Sequence, residues 1–225
     1  TTIGVASLVG RARDPLATLM SVSHAERPGL NTILYSAPDQ AGRDAALFTP
    51  APQTGALQRF NGIKVWLDGS PFVGGAATAA PYADTPLARD GRGLEPGWLA
   101  PLAAGREALF NLVETAQRTG QQVAFHVQGE RAIGLALDAV EAAGRAVPDA
   151  NLHHRLEHLA LVTPEQITRA RSLEVSLGLF PDHIGNYGHR LDALFGPDRA
   201  ARYMPVAEAV RLAKEYGCAS RLAPS

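Results

Sequence analysis

Cysteine is almost missing from this chain: Cys218 is the only one in 225 residues. An internal disulfide is therefore excluded, and a reducing, cytoplasmic location is expected. Net charge is nearly missing too, at -1 with histidine neutral. So balanced a chain shows no bias toward polyanions or anionic bilayers, and neither nucleic acid nor membrane is expected as a partner. No run of about 18 apolar residues occurs, which leaves no membrane-spanning helix in this stretch. A Gly-x-Gly-x-x-Gly fingerprint and a phosphate-cradling loop are also lacking, which argues against a nucleotide-binding doubly wound sheet. What remains, with 46% apolar residues, is an ordinary globular composition for one domain.

Within that composition, strand-like and helix-like stretches alternate. Strand candidates fall at residues 1–8, 31–35, 62–67, 122–128, 152–159, 174–180 and 218–222. Helix signals lie between them. Asp14-Pro15 reads as an N-cap followed by a first helical position. Residues 102–119 carry Leu109, Leu112, Val113 and Ala116 on one stripe, stopped by Gly120. Residues 132–143 place Ile133, Leu137 and Val140 together, and Thr163-Pro164-Glu165-Gln166 is a capping box. Residues 205–216 repeat the pattern with Val206, Ala209, Val210 and Ala213. This alternation predicts an α/β fold with a parallel sheet and crossover helices, best fitted by a partial (β/α)8 TIM barrel over residues 1–225 that lacks its first strand. Residues 69–100 and 181–204 read as long loops, which in compact domains are more often functional than accidental.

A barrel keeps its chemistry at the C-terminal ends of its strands. Strand alternation puts Val123, Phe125 and Val127 on one side and Ala124 and His126 on the other. His158 sits late in the next strand. Neighbouring strands lie about 4.8 Å apart, so two such imidazoles can meet one ion at about 2.0–2.1 Å; the alternative is two core histidines bonded to backbone. Lys64 shares parity with Trp66 and Asp68 and points inward. A buried lysine needs a partner, so it is read either as a structural ion pair or snorkelling cation, or as a lysine altered to bind metal. Asp68, roughly 13 Å further along the strand, is read first as a cap of the turn and second as a catalytic carboxylate. Glu157 has the opposite parity to His158 and is expected to face the helices and pair with Arg155. His183, in a loop beside Asp182, is a candidate for substrate contact or proton transfer, with solvent exposure as the alternative. His24, His153, His189 and Cys218 carry no such signal.

Several of these residues stand in motifs that resemble one family. Gly62-Ile63-Lys64-Val65-Trp66-Leu67-Asp68-Gly69-Ser70, followed by Pro81-Tyr82-Ala83-Asp84, looks like the lysine strand and next loop of the YtcJ-like metal-dependent hydrolases, the amidohydrolase 3 group of the amidohydrolase superfamily. Phe125-His126-Val127-Gln128-Gly129-Glu130-Arg131-Ala132 resembles their His-Ala-x-Gly-Asp-x-Ala motif, and His154-Arg155-Leu156-Glu157-His158 resembles their His-Arg-Ile-Glu-His. Pro181-Asp182-His183 and Gly196-Pro197-Asp198-Arg199-Ala200 follow in the expected order. The resemblance runs from about residue 60 onward and more loosely before it.

The resemblance implies a metallo-hydrolase barrel holding one or two divalent ions, usually zinc. Lys64 falls on the lysine that can be carboxylated to bridge two metals; His126 and His158 fall on the histidine ligands of the fifth and sixth strands. Glu130 stands where the family usually has Asp. The family's strand-one His-x-His, its strand-eight Asp and its flanking β-sandwich find no counterpart. The expectation is an incomplete barrel, about strands two to eight, with two open edges and, by itself, poor metal binding and little activity. For an intact protein the resemblance implies hydrolysis of a non-peptide, amide-like C–N bond in a small-molecule substrate by a metal-activated water. The missing Asp would move the proton and His183 would steady the oxyanion. The competing expectation is a diverged or truncated barrel that only binds or scaffolds. Either admits a homo-oligomer.

Overall fold

The computed structural model describes residues 2–5, 31–36, 58–91, 97–148, 150 and 152–215. Six strands run through them: β1 (Thr2–Val5), β2 (Asn31–Ser36), β3 (Gln58–Trp66), β4 (Gln122–Val127), β5 (Arg155–His158) and β6 (Ser176–Leu179). They form one sheet in chain order, and every neighbouring pair is parallel. A parallel sheet ordered as the sequence is ordered, with helices between strands, is the repeat from which α/β barrels are built. The expected helix start at Asp14-Pro15 and the expected strand at 218–222 lie outside the described residues.

Nine helices are described: α1 (Pro86–Gly91), α2 (Pro101–Ala104), α3 (Arg106–Arg118), α4 (Glu130–Ala146), α5 (Pro164–Ser172), α6 (Asp182–Tyr187), α7 (Leu191–Phe195), α8 (Pro197–Ala200) and α9 (Val206–Glu215). Three expectations change. The single helix over 102–119 is two, because Gly105 leaves helical geometry at φ -84°, ψ 67° between α2 and α3. Residues 181–204 are not a loop but a chain of short helices, α6 to α8. Residues 69–100 contain a 3-10 turn at Pro71–Val73 and the helix α1. The capping box is as read: Thr163 accepts from the Gln166 amide while Gln166 reaches back to Thr163.

Two cores result. The larger lies between sheet and helices. Ile63, Val65 and Leu67 of β3 and the residue after it, Val123, Phe125 and Val127 of β4, and Leu156 of β5 pack on Leu109, Leu112 and Val113 of α3 and Ile133, Leu137 and Val140 of α4. The smaller sits beyond the C-terminal ends of the strands, where Tyr82 and Ala88 meet Leu191, Leu194 and Phe195 of α7 and Tyr203 and Met204. Backbone bonds join its two halves, Ala83 N–H to Leu194 O at 2.8 Å, and Arg199 donates to the carbonyls of Ala80 and Pro81. The segments after β3 and after β6 are thus fastened together beyond the C-terminal ends of the strands.

Among the described residues no helix is long and apolar enough to cross a membrane.

Candidate metal centre

Register fixes which side chains share the inner face. Across the sheet Lys64 pairs with Ala124 and Ala124 with Arg155; one step on, Trp66 pairs with His126 and His126 with Glu157. In-register partners on parallel strands point to the same side, so Lys64, Trp66, His126, Arg155 and Glu157 share one face. Lys64 reaches across β4 to form a buried ion pair with Glu157. Its register partner on β4 is the small Ala124, and two strand spacings, roughly 9.6 Å, are spanned by the lysine and glutamate stems together. Arg155 meets the other glutamate oxygen at 3.2 Å. One carboxylate therefore serves two cations. Burial, and then Arg155, push the Lys64 ammonium down to about 7.

This corrects the reading of Glu157. Its pairing with Arg155 is as expected, but it faces inward. His158 is the residue that departs from strand geometry: its φ is 78° and that of Leu159 is 56°. Regular alternation would send His158 toward the helices with its partner Val127. Two successive left-handed residues, uncommon and strained for side chains of this kind, swing its ring instead to 4.3 Å from that of His126, centroid to centroid.

The two imidazoles are the core of the site. Nε2 of His126 and Nδ1 of His158 are buried without a hydrogen-bonding partner. Burial, then the neighbouring His158 and Lys64, lower His126 to about 3. Burial, then Lys64 and His183, lower His158 to about 4, with Asp182 opposing. Both rings are neutral at physiological pH, and each has a ring nitrogen with nothing to bond. Neutral imidazole with a free nitrogen is what a divalent metal takes as ligand, so these residues fit such an ion. Among the described residues no three His, Cys, Asp or Glu side chains converge as a complete cage. Trp66 lies tilted against His126 at 6.5 Å, and the Lys64 ammonium is 6.0 Å from the Trp66 ring.

Asp68 is elsewhere. Its carboxylate is buried just beyond β3 and accepts from the amides of Ala77 at 3.0 Å, Gln128 at 2.9 Å and Gly129 at 2.8 Å. It ties three segments together at the start of α4. Burial pushes it up to about 7, against the three amide bonds, which pull the other way. Gly129 is required here, since a Cβ would lie 2.2 Å from the Ala77 carbonyl oxygen. Glu130, in place of the family's Asp, accepts from the Ala79 amide at 3.1 Å.

His183 lies in α6, not a loop, and is half-buried. Its ring is parallel to that of His158 at 6.2 Å, and its Nδ1 is buried without a partner. The structure therefore brings His126, His158 and His183 into one neighbourhood, turns Lys64 to Glu157, and spends Asp68 on backbone amides. Sequence reasoning missed Glu157 as the lysine's partner. The signal was available: a buried lysine demands a carboxylate, and Glu157 is the acidic residue beside a late-strand histidine.

A family model matches residues 4–213, and its family is the amidohydrolases. The chain belongs to the amidohydrolase family. This amidohydrolase is 29% identical over 141 residues to Protein LONG AFTER FAR-RED 3 of Arabidopsis thaliana, covering 63% of this chain and 22% of that protein. It is 28% identical over 133 residues to the putative amidohydrolase YtcJ of Bacillus subtilis (strain 168), covering 59% and 23%. The match thus spans less than a quarter of either curated relative. Two solved structures share its fold. An uncharacterized metal-dependent hydrolase of Pyrococcus furiosus superposes with TM-score 0.67 at 24% identity, over 88% of this chain and 37% of that one. Another, from Pyrococcus horikoshii OT3, gives 0.69 at 23%, over 93% and 38%. At these identities they establish a shared architecture, consistent with a partial TIM barrel. The YtcJ-like family expected from the motifs is the family found.

Proposed function

We propose that the protein to which this amidohydrolase chain belongs is a metal-dependent hydrolase that adds water across an amide-like C–N bond of a small molecule, giving an acid and an amine. The observation that carries the reading is the pair His126 and His158, neutral rings 4.3 Å apart with buried unpartnered nitrogens. These two would hold a divalent ion, with zinc first in expectation. The chemistry supplied by a bound ion would be a lowered pKa, to about 7, for a water and polarisation of a carbonyl. The chain's own residues supply the setting. Trp66 shields His126 and Phe180 shields His158. Lys64, Glu157 and Arg155 fix the charge of the inner face. His183 would donate to a substrate oxygen as negative charge develops. Asp68 acts as a positioning residue that holds the β4–α4 turn behind His126. The low basicity of Lys64 suits carboxylation, which would need release from Glu157. In this reading β1 to β6 are the second to seventh strands of a (β/α)8 barrel.

His126→Ala is expected to remove bound metal and amide hydrolysis together, read by native mass spectrometry and by amine release. Hydrolysis at the unsubstituted rate in that variant would overturn the reading. One observation favours a second, non-catalytic reading: the described ligands stop at two histidines, and Lys64 is already paired with Glu157. Wild-type protein that takes up no zinc and hydrolyses no amide would establish that binding or scaffolding alternative.

A further inference from the structure

The site continues into a wall of aromatic rings that the hydrolytic reading leaves unused. Phe180, directly after β6, stacks on His158 with centroids 4.5 Å apart and planes 27° from parallel. It also lies 6.0 Å from His183. Phe72, from the segment after β3, meets His183 edge-on at 6.0 Å and stacks on Tyr187 of α6 at 4.0 Å. Tyr203 lies 6.3 Å behind Phe72. The outer margin is apolar and open, with Tyr187 38%, Ile184 40% and Val73 59% exposed.

Set into this wall is a hydroxyl with nothing to bond. Tyr203 is only 4% exposed, and its hydroxyl has no partner. A buried donor left unpaired is costly, and Tyr is enriched where a ring packs on an apolar partner while its hydroxyl meets a polar one. Three features converge: rings continuous with the candidate metal ligands, exposed apolar surface beside them, and a buried donor lacking its acceptor. Ligand sites combine just these, an apolar lining with a few orienting polar groups.

We propose that this wall is a subsite for an aromatic ring carried by the substrate. The ring lies against Phe72, Phe180 and Tyr187, and an acceptor atom of the same molecule bonds the Tyr203 hydroxyl. Calling the ligand a substrate rests on the hydrolase reading; the ring-binding surface itself does not.

The test is equilibrium binding of benzamide and of acetamide to the purified protein, by calorimetry or ligand-observed NMR, with amine release followed in parallel. Benzamide is expected to bind at least about tenfold tighter than acetamide. Phe72→Ala should remove most of that preference. Tyr203→Phe, which keeps the ring and its packing, should weaken 4-acetylbenzamide, whose ring carries an acceptor besides the amide, about fivefold or more. Equal affinities, no binding of either amide, benzamide affinity unchanged in Phe72→Ala, or 4-acetylbenzamide affinity unchanged in Tyr203→Phe overturns the subsite. Ring-dependent binding without hydrolysis of any amide keeps the subsite and removes the hydrolase reading. Hydrolysis of acetamide with no preference for benzamide does the reverse.

Discussion

His154 and His158 bracket β5, four residues apart, and contrast in everything but basicity. Burial lowers each to about 4. At the N-terminal end, Nδ1 of His154 accepts the Val123 amide at 2.9 Å. The proton must then sit on Nε2, which donates to Gln117 Oε1 at 2.9 Å. At the C-terminal end, Nδ1 of His158 has no partner. The same difference separates two buried carboxylates. Asp68 is spent on backbone amides, whereas Glu157 is held by side-chain cations that chemistry could rearrange. Depressed basicity therefore marks burial, and the unmet bond marks the site.

The largest effect that would sharpen this contrast comes from Glu157→Ala. Leaving Lys64 and Arg155 without their anion should cost about 3–5 kcal/mol in urea unfolding, and adding Lys64→Met should recover part of it. His154→Ala comes next, at about 1–3 kcal/mol, since it strands the Val123 amide and Gln117. It should also flatten the acid limb. A folded pKa below the unfolded value of about 6.5 means that the unfolded chain binds the extra proton. His154 thus costs stability as pH falls from about 6.5 through about 4, and the variant should lose that share of the slope. Asp68 works in the opposite sense. Its folded pKa of about 7 lies above the unfolded value of about 3.9, so stability falls as pH rises from about 4 to about 7. Asp68→Asn should remove that decline while weakening the amide bonds by about 1–2 kcal/mol. His158→Ala should move metal-free stability least, by under about 1 kcal/mol, because its ring nitrogen satisfies nothing. A loss as large as that of His154→Ala would break the comparison.

Much of this was legible in the residues. Each of the six described strands overlaps a strand candidate read from the sequence, and the inward parity of His126 follows from regular alternation in β4. His158 did not follow, because alternation presumes extended backbone and nothing in a histidine announces a positive φ. That error also put Glu157 on the wrong face. Residues 181–204 hid their helices because α6, α7 and α8 run only four to six residues each, too short for a helical period to emerge. The aromatic wall was unreadable for another reason. Its members are scattered from Phe72 to Tyr203, and only the fastening of two distant segments brings them together.

Ala77 gives that fastening its character. Its amide binds Asp68 at 3.0 Å, and its carbonyl receives the Arg131 amide at 2.9 Å. A connection pinned at its midpoint closes as two short spans instead of one long one, each with less freedom to lose. For evolution or engineering, the two spans become separate dials. Residues before Ala77, Phe72 among them, can be exchanged to retune the proposed ring subsite, while those after it keep gripping Arg199 and the smaller core. A specificity library built on the first span should therefore return folded proteins far more often than one that crosses the pin.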